Sequence, residues 1–267
     1  MTANPTTPVR FSPFSDEDSY AIMSNKLASS AKLCPHNNQI SCNDCRLGSI
    51  CLPLAMHEDD IIKLDEIVQR GRPLAKNAHI YRKNDPFTAV YAVRSGSVKT
   101  YRLTNDGQEQ VTGFYFPGEI IGMDGIGTGH YANAAKTLET AAICEIPFDR
   151  LESLSTEIPN MQRHFFQLMS QEITSDQQLI TLLSKNSAEE RIAALLISIS
   201  ARMVRRKLSG TQFRLPMSRT DIGNYLGLTI ETVSRVFSRF KKQNLVDVDG
   251  KEISLKDLEA LKEIADM

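Results

Sequence analysis

No uninterrupted apolar run in the 267 residues approaches the roughly 18 that a membrane-spanning helix requires, and the first thirty residues lack the apolar block of a secretory signal. A cytoplasmic protein is the expectation. Also missing are a glycine-rich nucleotide loop, a nucleophile elbow and any pair of carboxylates in a plausible catalytic setting, so the chain does not read as an enzyme. Cysteine is scarce: of five, Cys34, Cys42, Cys45 and Cys51 fall close together and Cys144 stands far downstream. In a reducing cytoplasm that is no disulfide framework. Net charge is only −1, and 41% hydrophobic with 24% charged residues excludes a disordered or fibrous chain as a whole. The length leaves room for two domains. Residues 1–30, rich in Pro, Ser, Thr and Asn, read as a flexible arm with no core of its own.

The near-zero charge hides an asymmetry, since residues 188–252 hold twelve Lys or Arg against seven Asp or Glu. A local cationic excess suits a phosphate backbone. It coincides with a helix-turn-helix pattern. Ser218 is placed to cap a short helix with Asp221 in its first turn, and Ile222, Tyr225 and Leu226 supply a buried stripe. Gly227-Leu228-Thr229 makes the turn, with Thr229 capping the next helix. In that helix, Thr229 to Phe240, the residues Glu231, Ser234, Arg235, Ser238 and Arg239 recur at steps of three and four on one polar face. Val233, Val236, Phe237 and Phe240 line the opposite face. A helix of this kind reads base edges, because Arg forks onto guanine O6 and N7, Glu accepts from cytosine N4 and Ser satisfies a neighbouring group. Thr229 and Thr232 complete the expected DNA-facing set. Asn244 to Val248, the turn Asp249-Gly250 and Glu252 to Leu255 suit a β-hairpin wing, whose lysines and arginines are expected to meet phosphates.

Cys42-Asn-Asp-Cys45 followed by Cys51 puts three thiolates on one short loop, and a soft metal centre held there needs a fourth ligand, for which Cys144 is the candidate. Four thiolates suit a structural zinc, a 2Fe-2S or a 4Fe-4S cluster, and spacing alone does not separate them. Closed zinc sites usually take ligands in two close pairs, so a three-plus-one arrangement favours iron-sulfur. Cys34, beside Pro35, reads as a spare thiol, and His36 and His57 as polar loop residues.

Between Leu74 and Phe148 short alternating segments are punctuated by turns. The expected strands are His79 to Arg82, Ala89 to Val93, Ser97 to Leu103, Gln110 to Phe116 and Thr137 to Pro147. They predict an antiparallel β-roll or barrel of the kind that encloses a small ligand. A long helical pattern without glycine follows, from about Ile158 to Ser184. Phe166, Met169, Ile173, Asp176, Ile180 and Leu183 repeat at alternating steps of three and four, the spacing of a two-stranded seam. Phe165, Leu168, Leu179 and Leu182 form a second stripe for the chain's own core. A parallel homodimer follows, with paired Asp176 carboxylates opposing it at a cost on the order of 1 kcal/mol or more.

A β-roll, a long dimer helix and a winged helix-turn-helix, in that order, resemble the cyclic-AMP receptor and fumarate-nitrate-reduction regulator family of bacterial transcription factors. The resemblance covers nearly all of residues 34–255. It is carried by Arg94-Ser-Gly-Ser97, Leu138-Glu-Thr140, Cys144-Glu-Ile-Pro147, Ala188-Glu-Glu-Arg191, Asp221-Ile-Gly-Asn-Tyr-Leu-Gly-Leu228 and Glu231-Thr-Val-Ser-Arg235. The four-cysteine set points to the oxygen-sensing branch. The resemblance implies an α+β fold divided into the arm, a cluster loop and β-roll sensor domain (31–157), a dimerisation helix (158–186) and a winged helix-turn-helix DNA-binding domain (187–267). It implies that Cys42, Cys45, Cys51 and Cys144 bind one 4Fe-4S cluster per subunit, which oxygen converts toward 2Fe-2S, switching the regulator off. Glu231, Ser234 and Arg235 would read a half-site like TTGAT in double-stranded promoter DNA, and Asp176 would hold the cluster-free protein monomeric. RNA polymerase is the further implied partner, through loops such as Ser95 to Ser97 and Asn105 to Gln108.

Some residues depart from the family pattern. Cys34 lies too far from the trio to be given a ligand role. Arg46 stands beside Cys45 where a small polar residue is usual, and a cation there would favour the more negative form of an anionic cluster. Phe116-Pro-Gly-Glu119 matches the start of a cyclic-nucleotide cassette, but His130 to Ala135 contains no arginine to clamp the phosphate. No cyclic nucleotide is therefore expected, and Gly118-Glu119 reads as a turn retained for the fold. A zinc-stabilised or small-ligand-responsive regulator of the same fold is the alternative.

Overall fold

The computed structural model of the chain describes residues 40–54, 56–104 and 106–265. The expected arm, Cys34 and His36 lie outside the described residues.

The fold is mixed helix and sheet. Helix α1 (Glu58–Ile67) opens with Glu58, Asp59 and Asp60, whose charges suit the positive end of the helix. The strands β1 (Gln69–Arg70), β2 (His79–Tyr81), β3 (Ala89–Ser95), β4 (Val98–Leu103), β5 (Glu109–Tyr115), β6 (Ile120–Ile121), β7 (Ala134–Thr137) and β8 (Ala142–Pro147) then form two antiparallel sheets. Their orders are β1-β8-β3-β6 and β2-β7-β4-β5. One inner layer of this roll is aromatic: Tyr81 and Tyr131 stack at 4.0 Å, Tyr91 lies 5.6 Å from Tyr81, and all three are buried.

Three details differ from the sequence expectation. Thr137 to Pro147 is not one strand: Thr137 ends β7, and Leu138 to Ala141 turns the chain into the other sheet before β8 starts. The Ser95 to Ser97 turn is not a free surface loop, because Ser97 is buried and its hydroxyl donates to Glu139 at 2.8 Å. Gly118-Glu119 is more than a turn, because the Glu119 carboxylate accepts from Arg202 and Arg206 of a distant helix.

Helix α2 (Phe148–Glu157) leads to α3 (Pro159–Lys185), which starts at a proline whose fixed φ suits a first helical position. One face of α3 returns to the roll: Met161 and Phe165 are buried, with Leu168 beside them, in a core shared with Leu52, Leu64, Val90, Ile146 and Leu151. Leu182, near the other end, packs on the core of the carboxy-terminal domain.

That domain comprises α4 (Ala188–Arg205), β9 (Gln212–Arg214), α5 (Arg219–Leu226), α6 (Ile230–Lys242), β10 (Val246–Asp249), β11 (Glu252–Leu255) and α7 (Leu258–Ile264). The Ser187 hydroxyl caps α4 by accepting from the Glu190 N–H. The Arg191 guanidinium bonds the carbonyls of Leu183, Asn186 and Leu226, at 2.9 to 3.0 Å, so one side chain closes the end of α3 and ties it to α5. The wing has three strands, β10-β11-β9, where the sequence suggested two. Val111, Phe114, Phe116 and Leu138 of the roll belong to the same apolar core as α4 to α7, so the two domains are packed together.

Candidate cysteine centre and nucleic-acid interface

Residues 40–54 form a succession of tight turns rather than a helix or strand. The Cys45 N–H donates to the Cys42 carbonyl (3.4 Å), the Gly48 N–H to that of Cys45 (3.0 Å), and the Leu54 N–H to that of Cys51 (3.0 Å). Leu47 and Leu52 are buried and anchor this loop, so burying its apolar residues fixes where its cysteines point. The Cys42 N–H is held by the Asp65 carboxylate of α1 at 2.6 Å. Cys144 comes from β8, paired with Arg70 of β1 on one side and Ala92 of β3 on the other. Cys42, Cys45, Cys51 and Cys144 all line one small cavity, with Leu47, Leu52, Pro53, Leu64, Val68, Ala92 and Ile146 as its apolar walls. Among the described residues, no three His, Cys, Asp or Glu side chains converge closely enough to hold a single metal ion.

Two guanidinium groups reach this cavity, and neither was legible as a site residue. Arg70 donates to Cys42 Sγ at 3.2 Å and also to the Asp65 carboxylate. Arg94 lines the same cavity, and its Nη1 is buried with no hydrogen-bond partner among the described residues. A buried N–H of a cation with nothing to bond is costly unless an acceptor is supplied. Arg46, expected to be the cation beside the thiolates, is exposed and is not among the cavity-lining residues. His57 is exposed as well, preceding α1.

Burial pushes the Cys42 thiol up to about 12, with the hydrogen bond to Asp65 adding to the effect and Arg70 opposing it. Burial pushes Cys51 up to about 12 also. Cys144 is raised by burial against the opposing pull of Arg70 and Arg94. These are half-buried, soft donors facing the cations Arg70 and Arg94, with Asp65 the anion beside Cys42. The set suits a compact anionic group with four separate thiolate attachments, whose charge Arg94 and Arg70 would offset.

The second site is the helix-turn-helix. Ser218 and Asp221 form a complete capping box at the start of α5. Gly227 sits at φ +63, and a Cβ at Gly223 would approach the Leu228 carbonyl oxygen to 2.5 Å, so the tight turn needs both glycines. Thr229 caps α6 by accepting from the Thr232 N–H. Val233, Val236, Phe237 and Phe240 are buried, while Glu231, Ser234, Arg235, Ser238 and Arg239 are exposed along one face. Arg235 rests against the half-buried Thr232, at 3.2 Å from its hydroxyl. Ser238 bonds back to the Ser234 carbonyl, and Arg239 pairs with Glu189 of α4.

The wing departs from expectation in its charge. Asp247, Asp249 and Glu252 dominate it, and its Lys251 donates to the Pro216 carbonyl. Lys241 and Lys242 follow Arg239 in the last turn of the recognition helix, and Lys241 pairs with Asp247 of the wing at 3.0 Å.

Along α3, Phe166, Ile173 and Ile180 are 57%, 59% and 66% exposed on one stripe. Asp176 lies among them and is exposed, and burial of part of its carboxyl raises its pKa. Met169 and Leu183 are half-buried at the border of the stripe. Three large apolar residues thus stand bare at seven-residue spacing along one stripe of the helix.

Residues 71–157 match a family described as a cyclic nucleotide-binding domain, and residues 190–264 one described as a Crp-like helix-turn-helix domain. The chain is 51% identical over 219 residues to the transcriptional activator protein Anr of Pseudomonas aeruginosa, spanning 82% of this chain and 90% of that one. Over 226 residues it is 44% identical to the fumarate and nitrate reduction regulatory protein of Escherichia coli, spanning 85% of this chain and 90% of the other. Of solved structures, FixK2 from Bradyrhizobium japonicum aligns with a TM-score of 0.68 at 28% identity, covering 74% of this chain and 97% of that one. A CooA variant from Carboxydothermus hydrogenoformans aligns at 0.63 with 21% identity, covering 81% and 95%, a likeness of fold.

Proposed function

Since the chain belongs to the cyclic-AMP receptor and fumarate-nitrate-reduction regulator family of DNA-binding transcription regulators, and is not an enzyme, we propose that it is an oxygen-responsive member carrying one 4Fe-4S cluster per subunit on Cys42, Cys45, Cys51 and Cys144. The observation that supports this most is the one cavity lined by those four cysteines together with Arg70 and Arg94. When bound, such a cluster supplies an oxygen-labile anionic centre.

The chain's own residues supply the coupling. Three ligands on the turn-rich loop and one on β8 join two segments otherwise held by apolar contacts, and attachment at all four adds folding energy at that place. Cys51 and Cys144 border the core that also holds Met161, Phe165, Leu168 and Met169 of α3. Bracing that core steadies the helix whose bare seam of Phe166, Ile173 and Ile180 meets a second subunit, with Met169 and Leu183 at its edge. The steadied seam offsets repulsion between paired Asp176 carboxylates. Two subunits then present two α6 helices to an inverted repeat, where Glu231, Ser234 and Arg235 read a half-site like TTGAT. Thr229 and Thr232 hold the start of the helix, and Ser238 and Arg239 extend the contact. A dimer adds both half-site energies where a monomer has one.

The roll, on this reading, takes no cyclic nucleotide. Tyr81, Tyr91 and Tyr131 occupy its interior and Glu119 is engaged by Arg202 and Arg206. RNA polymerase is the proposed partner at activated promoters, with the exposed turn at residues 106–108 available to it. Anaerobic purification, with an absorption spectrum and iron, sulfide and zinc analysis before and after air, tests the proposal. Iron and sulfide near four per chain with a chromophore bleached by air is the expected result; zinc alone, unchanged by air, refutes it.

A further inference from the structure

We infer that Glu119 is the positioning residue that fixes the DNA-reading domain on the sensor roll, through a two-arginine clamp from the end of α4.

The clamp is built from both sides. Glu119 follows Gly118 in the turn before β6, and its Oε2 accepts the Phe116 N–H at 2.9 Å, which orients the carboxylate. Arg202 donates from Nε to Oε1 at 2.8 Å and from Nη2 to Oε2, and Arg206 donates from Nη2 to Oε1 at 2.6 Å. Spare donors on the same guanidinium groups bond roll carbonyls: Arg202 that of Phe114, and Arg206 that of Pro117 at 2.7 Å. Both guanidinium groups also lie over the Phe116 ring, at 4.7 and 5.5 Å from its centre. A forked contact from Arg202 and a single one from Arg206 on the same carboxylate, each guanidinium also tied to a roll carbonyl, admit few relative orientations of the two domains.

What the clamp holds is the platform of the recognition helix. α4 packs directly on α6, and both contribute to one apolar core. A second tie stands elsewhere on the interface: Lys99 of β4, bonded also to Glu109, donates at 2.7 Å to Asp221, which completes the capping box of α5. Phe114 meets Tyr225 of α5 at 5.0 Å. The apolar contacts bring the domains together, and the directional ones fix their angle. Desolvated ion pairs contribute little net affinity, so orientation is the role the chemistry suits. In a dimer, that angle sets the separation of the two recognition helices and hence the half-site spacing that fits.

This inference rests on the chain acting as a DNA-binding dimer and not on the identity of the metal centre. The test uses the full-length protein, held anaerobic throughout, with labelled duplexes carrying two inverted TTGAT half-sites at the preferred spacing, the same pair moved apart by one and two base pairs, and a single half-site. If the unaltered protein shows no preference for the paired half-sites, the dimer reading has failed before any variant is compared. Glu119→Gln should bind the single half-site within about twofold of the unaltered protein. It should lose about tenfold or more on the preferred spacing, and much of its discrimination against the shifted ones. Arg206→Gln, which leaves Arg202 in place, should lie between, and serves as the folded variant should Glu119→Gln fail to fold. Unchanged discrimination in a folded variant, tighter binding to the preferred spacing, or an equal loss on single and paired half-sites would each overturn the inference.

Discussion

Arg70 donates a hydrogen bond to Cys42 Sγ at 3.2 Å from the strand position opposite Cys144, so one guanidinium touches the loop that carries three cysteines and sits on the strand beside the fourth. It also pairs with Asp65, which holds the Cys42 backbone. Replacing it removes a cation from the cysteine cavity and leaves a half-buried carboxylate unpaired. Arg70→Leu should lose about 1 to 3 kcal/mol of stability and hold less iron after anaerobic reconstitution. Arg70→Lys, which keeps the charge but not the fork, should fall between. Circular-dichroism melts and iron analysis read both effects, and full iron retention by Arg70→Leu counts against the role.

The bare stripe on α3 makes two opposite expectations. Asp176→Ala removes the repelling carboxylate and should dimerise and bind DNA in air; a strictly monomeric aerobic variant contradicts the proposed brake. Ile173→Glu should abolish the anaerobic dimer. It should leave the stability of the single chain within about 0.5 kcal/mol, because Ile173 is 59% exposed there. Sedimentation velocity distinguishes all these states.

Arg235 projects from the exposed face of α6, with its guanidinium 3.2 Å from the Thr232 hydroxyl. Arg235→Ala should lose roughly 1 to 3 kcal/mol of discrimination at the guanine of the half-site, measured by competition with base-substituted duplexes. Lys242→Ala should instead weaken all duplexes similarly and reduce the log-log salt slope by about 0.9 if it meets one phosphate. Asp249→Asn on the acidic wing should strengthen binding at low salt, since it removes a charge of the same sign as DNA.

Burial alone would raise the Glu119 carboxyl, but Arg202 and Arg206 overcome that and hold it down to about 2. A carboxylate depressed in the folded state stabilises above its unfolded pKa, near 4 to 4.5, and loses that contribution as pH falls toward its folded value. The unaltered protein should therefore lose about 2 kcal/mol more than Glu119→Gln between pH 5 and pH 2.5. Urea midpoints at several pH values give the difference directly; parallel curves contradict it.

The parts legible in the sequence are those with local causes. Ser218, Asp221, Gly227 and Thr229 act within a few residues of one another, and the structure places each in the expected cap or turn. The exposed and buried faces of α6 likewise follow from helical spacing alone. What sequence reading missed depends on distant pairing. Arg70 and Arg94 reach the cysteine cavity only because β1 and β3 flank β8, and a two-residue strand such as β1 carries almost no periodic signal. Glu119 looked like a turn residue because its partners lie more than eighty residues away. Thr137 to Pro147 looked continuous because its alternation persists through a turn that changes sheets. Lysines and arginines of the wing are expected to meet phosphates, whereas Lys251 of the hairpin is turned to the Pro216 carbonyl, a partner distant in sequence.

In the proposed switch the cysteine-bound centre governs dimerisation and DNA occupancy. Its most direct test is an equilibrium titration of one inverted-repeat duplex with iron-replete and iron-free protein, both under strict exclusion of air, with oligomeric state measured in parallel. The iron-replete protein should be dimeric and bind about fivefold to a hundredfold more tightly, a coupling on the order of 1 to 3 kcal/mol. Equal affinity and equal oligomeric state in the two preparations would contradict it.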